Sequence, residues 1–269
     1  MAEGDSLVRI GRKLRPALTG GAIVSASAPN PRSSLRSHAR RLAGRQVESI
    51  ETRGKHLLIH FEDGLSLHSH LGMNGSWQVG DGRGFGKPER MAWLLMEVAR
   101  QDASDGPGIR VAQFGGPTLR LVRTAELARD PRLASLGPDI LDPRFDPEAA
   151  AARLRSSSDE VGVALLDQKI VCGIGNIFKS EACFEAGIDP WRPARSLAGG
   201  ESGPDRDEAS GLLAVARRQM LEAVETGRRP GRIYRKAGRP CPRCAGAAIL
   251  SRAQGDDGRT TYWCPKCQF

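Results

Sequence analysis

The sequence predicts an α+β chain in three parts: a helix leading into a β-sandwich or barrel, an all-helical stretch, and a small cysteine-held ribbon. Four observations carry that expectation. Apolar residues recur at helical spacing at the start, short β-like runs then extend to about residue 125, and helical periodicity returns from Pro147. Two CxxC pairs close the chain, Cys241/Cys244 and Cys264/Cys267. With 269 residues there is room for two apolar cores and an appendage too small to fold without help.

The elements follow in order. Leu7, Ile10, Leu14 and Leu18 share one helical face behind Glu3 and Asp5, acids that suit a helix N-terminus, and Gly20-Gly21 ends the run. Pro16 is expected to kink or end this helix early. Strands are expected at 47–50, 55–61, 65–71, 92–98, 109–114 and 118–123, divided by Gly and Asp turns, with the longest loop at 80–88. Past Gly137-Pro138-Asp139-Ile140 the pattern turns helical, at 147–154, 161–171, 177–186 and 207–224, punctuated by Asp189-Pro190 and by 199–204. The same changes of texture set the expected domains at 1–130, 131–227 and 228–269. No internal repeat is visible.

Charge points to a polyanionic partner. The net charge is +9 and the pI about 9.7, and 33 of the 40 basic residues are arginines, whose planar fork suits phosphate better than an ammonium does. No stretch approaches the roughly 18 apolar residues of a membrane span, and the start lacks a signal-peptide run. A cytoplasmic protein with no membrane partner is therefore expected. In that reducing compartment the paired cysteines serve as metal ligands, while Cys172 and Cys183 are buried thiols.

Nineteen residues separate Cys244 from Cys264, the spacing of two knuckles on neighbouring hairpins that offer four thiolates to one Zn²⁺. Two disulfides are the competing reading. Four sulfur ligands leave no position for water, so the expected zinc is structural. Between the pairs, Gln254 to Tyr262 reads as a hairpin with Arg259 near its tip, available to a phosphate or simply exposed.

Gly173-Ile174-Gly175-Asn176 joins two helical stretches. Glycines let backbone approach a ligand closely, and the following helix offers free N–H groups to an anion such as a DNA phosphate. A dinucleotide loop is excluded, because Phe178 stands where the third glycine belongs and no strand precedes the turn. An ordinary helix–helix turn capped by Asn176 remains the plain alternative. At the N-terminus, removal of Met1 would expose the α-amine of Ala2. Near neutral pH roughly a tenth to a third of such amines are unprotonated, against about 0.1% of lysines, so it is a ready Schiff-base nucleophile. Glu3 beside it could protonate a sugar ring oxygen as C1′ is attacked, or could merely begin a helix.

Together these segments resemble one family. Ala2-Glu3-Gly4-Asp5, Arg53-Gly54-Lys55-His56-Leu57, His68 to Gly75, Leu136 to Ile140, Leu165 to Glu181 and Gly258 to Gln268 are similar, in order and across the whole chain, to formamidopyrimidine-DNA glycosylase/endonuclease VIII (Fpg/Nei) repair enzymes. Glu3-Gly4-Asp5 in place of Glu-Leu-Pro-Glu sets it nearer the Nei branch.

The resemblance implies a helix plus β-sandwich domain, a helix–two-turn–helix domain and a terminal zinc finger, with damaged DNA bound in a cleft. It implies removal of an oxidised base, a pyrimidine on the Nei side, and strand cleavage by β- and δ-elimination through an imine. Carried over by position, Ala2 is the nucleophile and Glu3 the proton donor. Lys55 and Arg259 contact phosphates and assist elimination, Asn176 with Gly173 and Gly175 binds phosphate at the lesion, and Met73 fills the void left by the flipped nucleotide. A monomer acting on duplex or single-stranded DNA at the nucleoid is implied.

Five departures from the family pattern bear on activity and lesion choice. The family nucleophile is normally proline, a secondary amine, although a eukaryotic branch uses Val; a primary amine still forms an imine. Gly72 replaces a DNA-contacting Gln of Nei enzymes, Ser135 an Arg found in some, and Gly162 the Lys that Fpg uses near an oxidised purine. The lesion-recognition loop has no readable counterpart. Two other readings are a damage-binding protein with weakened catalysis or lyase activity alone, and a zinc-ribbon transcription factor. Glu3, Lys55, Asn176 and Arg259 together favour an enzyme, since a pure binder needs no acid at residue 3, and the transcription factor leaves both N-terminal motifs unexplained.

Overall fold

A computed structural model describes residues 2–80, 84–99, 108–197 and 207–269. The expected break at 199–204 and residues 81–83 of the long loop lie outside them. The chain divides into two units, one of Ala2 with Ser6–Ala134 and one of Glu3–Asp5 with Ser135–Phe269.

In the first unit α1 (Gly4–Leu18) leads into β1 (Ile23–Ser27), β2 (Val47–Arg53), β3 (His56–Phe61), β4 (Leu65–His70), β5 (Ser76–Val79), β6 (Leu94–Val98), β7 (Ile109–Phe114) and β8 (Thr118–Arg123). Short helices α2 (Thr124–Leu127) and α3 (Pro131–Ala134) follow. The strands form two open antiparallel sheets, β1-β6-β7-β5 and β2-β3-β4-β8, a sandwich and not a barrel. Alternation explains the core: Leu57, Ile59 and Phe61 of β3 turn inward and meet Leu94, Met96 and Val98 of β6. A slip of one residue would turn these side chains outward, so burial fixes the register.

Leu7, Leu14 and Leu18 of α1 are buried in the same core. Each contributes on the order of 2 kcal/mol. The helix runs past Pro16 to Leu18, so the early end expected there does not occur. Burial of Leu18 outweighs the hydrogen bond that proline removes. Strands β1 and β5 were not expected from the sequence.

The second unit holds α4 (Pro147–Arg155), α5 (Val161–Ala164), α6 (Asn176–Ala186), α7 (Glu208–Thr226) and the hairpin β9 (Leu250–Gln254) and β10 (Arg259–Trp263). Asp146 caps α4 through the amides of Glu148 and Ala149, and Asp207 caps α7 through that of Ala209. The helix expected over 161–171 stops at Ala164. Asp167 accepts from the Lys169 amide at 2.9 Å and Gln168 donates to the carbonyls of Leu166 and Ile174, which draws the backbone into a turn. Leu154, Val161, Phe178, Leu212 and Met220 fill the helical core.

Phe184 of α6 packs in a separate cluster with Ile233, Ile249 and three of the cysteines. The fully buried Glu181 carboxylate accepts from the amides of Arg232, Ile233 and Tyr234 at 2.8 to 3.0 Å, which pins the chain entering the ribbon to α6. No described helix is long and apolar enough to cross a membrane.

Candidate active site and metal centre

The N-terminal residues are held at several points. Glu3 and Asp5 are fully buried, and Glu3 accepts from the backbone amides of Ile177 at 2.9 Å and Phe178 at 3.4 Å. The start of α6 is thus capped by a carboxylate 174 residues away, in the position that favours negative charge. Asn176 does not cap the helix. Its Nδ2 donates to the Thr260 carbonyl at 2.8 Å, while its buried Oδ1 has no protein partner among the described residues.

The glycine spacing has a physical reason. A Cβ on Gly175 would collide with the Glu3 carboxylate, so only glycine lets that acid reach the helix end. Gly173, at φ +104°, accepts from the Gly4 amide at 2.9 Å, and the Asp5 carboxylate receives a two-pronged ion pair from Arg229 at 2.5 and 2.7 Å.

In the other unit the Ala2 side chain packs on the sandwich core, and its backbone nitrogen donates to the Gly72 carbonyl at 3.3 Å. Met73 follows in the same loop, 57% exposed, an unusual place for a large apolar side chain. Lys55 occupies the turn between β2 and β3, and its positive charge, after burial, helps hold His70 below the ordinary histidine value. His70 in turn accepts from the Gly72 amide at 3.3 Å. Ala2, Met73 and Lys55 therefore belong to one unit, and Glu3, Gly173, Gly175, Asn176 and Arg259 to the other.

Arg259 begins β10 at the hairpin tip. Close behind it stands a residue the sequence reading missed. Lys179, one turn after Asn176, is fully buried, and its Nζ donates to Thr261 Oγ1 at 2.6 Å. Burial pushes this ammonium down to about 8, with a further lowering from Arg259 and opposition from Cys183 and Glu3. A lysine in the middle of an apolar helical face was the available signal. Thr261 passes the hydrogen bond on to Gln254, whose amide donates to Glu160 and to the Pro190 carbonyl at 2.8 Å. That amide occupies the space a side chain on Gly162 would need, so a Lys cannot stand at 162 without displacing Gln254.

The sulfurs of Cys241, Cys244, Cys264 and Cys267 lie within 4.8 Å of one another, and Cys241–Cys267 and Cys244–Cys264 are each 3.8 Å apart. That is far from a disulfide. Metal–sulfur bonds of about 2.3 Å in a tetrahedron put the sulfurs about 3.8 Å apart, so the four residues fit a tetrahedral metal ion. The Arg243 amide approaches Cys241 Sγ at 3.4 Å, as in a knuckle turn.

The family models and relatives that match this sandwich, helical unit and four-cysteine ribbon define a class of DNA repair enzyme. The chain belongs to the formamidopyrimidine-DNA glycosylase/endonuclease VIII family. Residues 1–111 match the formamidopyrimidine-DNA glycosylase N-terminal domain, and residues 136–231 match the H2TH domain of the same glycosylases. A probable endonuclease 8 2 of Streptomyces coelicolor is 38% identical over all of this chain and 94% of its own. A DNA-(apurinic or apyrimidinic site) lyase Nei2 of Mycolicibacterium smegmatis is 33% identical over 100% of this chain and 99% of its own. Among solved structures, MutM (Fpg) from Thermus thermophilus superposes with a TM-score of 0.78 at 28% identity, covering 99% of this chain and 98% of that one. Lactococcus lactis Fpg in complex with DNA containing an abasic site gives 0.80 at 25%, covering 100% of both chains.

Proposed function

We propose that this chain is a base-excision-repair DNA glycosylase and abasic-site lyase in which the α-amine of Ala2 is the nucleophile and Glu3 the proton donor. The observation that carries the reading is the clamp on residues 3–5. Two amides, the Gly173 carbonyl and Arg229 hold that segment, so the acid bonded directly to residue 2 has a fixed place. Such fixing matters because a misplacement of about 1 Å can cost on the order of a hundredfold in rate.

The amine lone pair attacks C1′ of the damaged nucleotide as the glycosidic bond breaks, and the base departs with that electron pair and is protonated by solvent. Glu3, ionised at rest where it caps α6, takes one proton from the attacking nitrogen and gives it to the ring oxygen as the C1′–O4′ bond breaks, and loss of the second nitrogen proton to solvent leaves the imine. The imine is an electron sink. Removal of a C2′ proton expels the 3′ phosphate, and a second elimination expels the 5′ phosphate.

Lys55, Arg259 and Asn176 are assigned to backbone phosphates and Met73 to the void left by the flipped nucleotide, while the space beside Gly175 is taken by Glu3 and Gly173 accepts from Gly4. Lys55 and Arg259 also assist elimination. The cysteine centre is assigned one structural Zn²⁺, which holds the hairpin that carries Arg259. The division 1–130, 131–227 and 228–269 then separates chemistry, duplex grip and finger. Oxidised pyrimidines, in duplex or single-stranded DNA at the cytoplasmic nucleoid, are the assigned substrates for a monomer.

The test is incubation with oligonucleotides carrying one oxidised pyrimidine, one oxidised purine or one abasic site. Base release from the pyrimidine and gaps with phosphate at both ends are expected. Nicking of the abasic strand without release of any base would reduce the assignment to a lyase.

A further inference from the structure

Outside the residues already assigned, the outer face of the β2-β3-β4-β8 sheet carries three imidazoles and a guanidinium in contact. Strand pairing sets His56 opposite His70 and His68 opposite Arg120. Arg120 donates from Nε at 3.1 Å and from Nη2 at 3.0 Å to Nδ1 of His68, and it forms an ion pair with Asp130. A guanidinium has no acceptor, so Nδ1 of His68 must carry a lone pair and the proton of this ring must sit on Nε2. That nitrogen is 2.8 Å from Nδ1 of His56. His68 therefore donates, His56 accepts, and the proton of His56 is driven to its own Nε2.

Nothing among the described residues accepts from Nε2 of His56, and the residue is partly exposed, so this N–H is left for an outside acceptor. The neighbouring His70 is set the same way. Its Nδ1 accepts from Gly72, which leaves its proton on Nε2, and its ring centroid lies 4.8 Å from that of His56. The charged groups facing the cluster are the cations Lys55, Arg120 and Arg132 and the acids Glu126 and Asp130. Asp130 is already committed to Arg120 and to the Arg132 amide at 2.8 Å. Burial first, then the neighbouring imidazoles His70 and His68 and the cations Arg132 and Arg120, push His56 down to about 3, and burial, then Arg120, push His68 to about 4, so both rings are neutral near pH 7. A neutral ring locked with its N–H outward among cations suits an anion, and it does so without the cost of burying another charge.

We propose that His56 donates from Nε2 to a phosphodiester oxygen, with Asp130, Arg120 and His68 forming a directed string that fixes its tautomer. The contact rests on the reading of this chain as a DNA-binding repair enzyme. The string itself does not.

Long-range ¹H–¹⁵N spectra of the imidazoles in the intact protein test the string. His56 and His68 should both show the Nε2–H tautomer and should not titrate between pH 5.5 and 8. An Nδ1–H tautomer, or a midpoint near 6.5, overturns the proposal. Binding of undamaged and abasic duplexes tests the contact. His56→Phe keeps the ring shape and should weaken both by about tenfold, with the logarithmic salt slope unchanged because no cation is removed; His56→Gln, which keeps a donor, should recover most of the loss. A His56→Phe protein that binds within twofold of wild type overturns this contact alone. Wild-type protein that binds no DNA overturns the functional reading as well.

Discussion

Gly175→Ala isolates the role of the clamped acid. Gly175 lies at φ −126°, ψ −170°, extended backbone that alanine adopts freely, so the substitution adds no conformational strain of its own. The added methyl would fall on the Glu3 carboxylate, and the flanking chain is anchored because Ile174 before it and Phe178 after it are fully buried in the helical core. Glu3 must move by more than an ångström and lose its bonds to Ile177 and Phe178. Hydrogen bonds to a charged group contribute about 1.5 to 3 kcal/mol each, and the amides left behind regain water only in part. A stability loss of about 2 to 4 kcal/mol is expected, with a fall of at least about a hundredfold in base excision. Single-turnover excision on a damaged oligonucleotide, beside thermal unfolding of the same preparation, measures both. Excision within threefold of wild type would show that the position of Glu3 does not matter to the chemistry.

Three further outcomes follow from other parts of the molecule. Ala2→Pro should raise excision more than cleavage of preformed abasic sites, because a more basic secondary amine and a cationic iminium help most at attack on C1′; equal or lower excision, measured on the two substrates in parallel, would mean the pocket is built around Ala2. Cys264→Ser should release metal, disorder residues beyond about 235 and weaken DNA binding while the sandwich stays folded, and native protein without stoichiometric metal by elemental analysis would refute this. Lys179 should make stability depend on pH. Its folded value of about 8 lies below the ordinary 10.5, so the unfolded chain binds more protons between these values and stability rises with pH across that window, by about 3 kcal/mol in all. Denaturant unfolding from pH 7.5 to 10.5 should show the rise in wild type and not in Lys179→Met.

The sandwich, the helical unit and the ribbon were legible because their signals are local: short β-like runs divided by Gly and Asp turns, helical periodicity past Gly137, and cysteine spacing. β5 was not, since Ser76–Val79 is too short for its alternation to show. The end of α5 depends on side-chain bonds from Asp167 and Gln168 that a periodicity count does not register. At the site, residue types were readable and their partners were not. Glu3 reads as the acid of its own helix, yet it caps α6; Asn176 reads as a cap, yet it binds the Thr260 carbonyl. The string from Arg120 to His56 joins three strands whose register appears only in the folded sheet.

The central claim is that the amine of residue 2 forms a covalent imine with the sugar. Borohydride reduction during reaction with an oligonucleotide bearing one abasic site, followed by mass spectrometry of the trapped peptide, tests it most directly. The predicted result is one sugar adduct on the α-amine of Ala2 in a chain that has lost Met1. An adduct on an internal lysine such as Lys179 or Lys55, or no adduct while the strand is still cleaved, would contradict it.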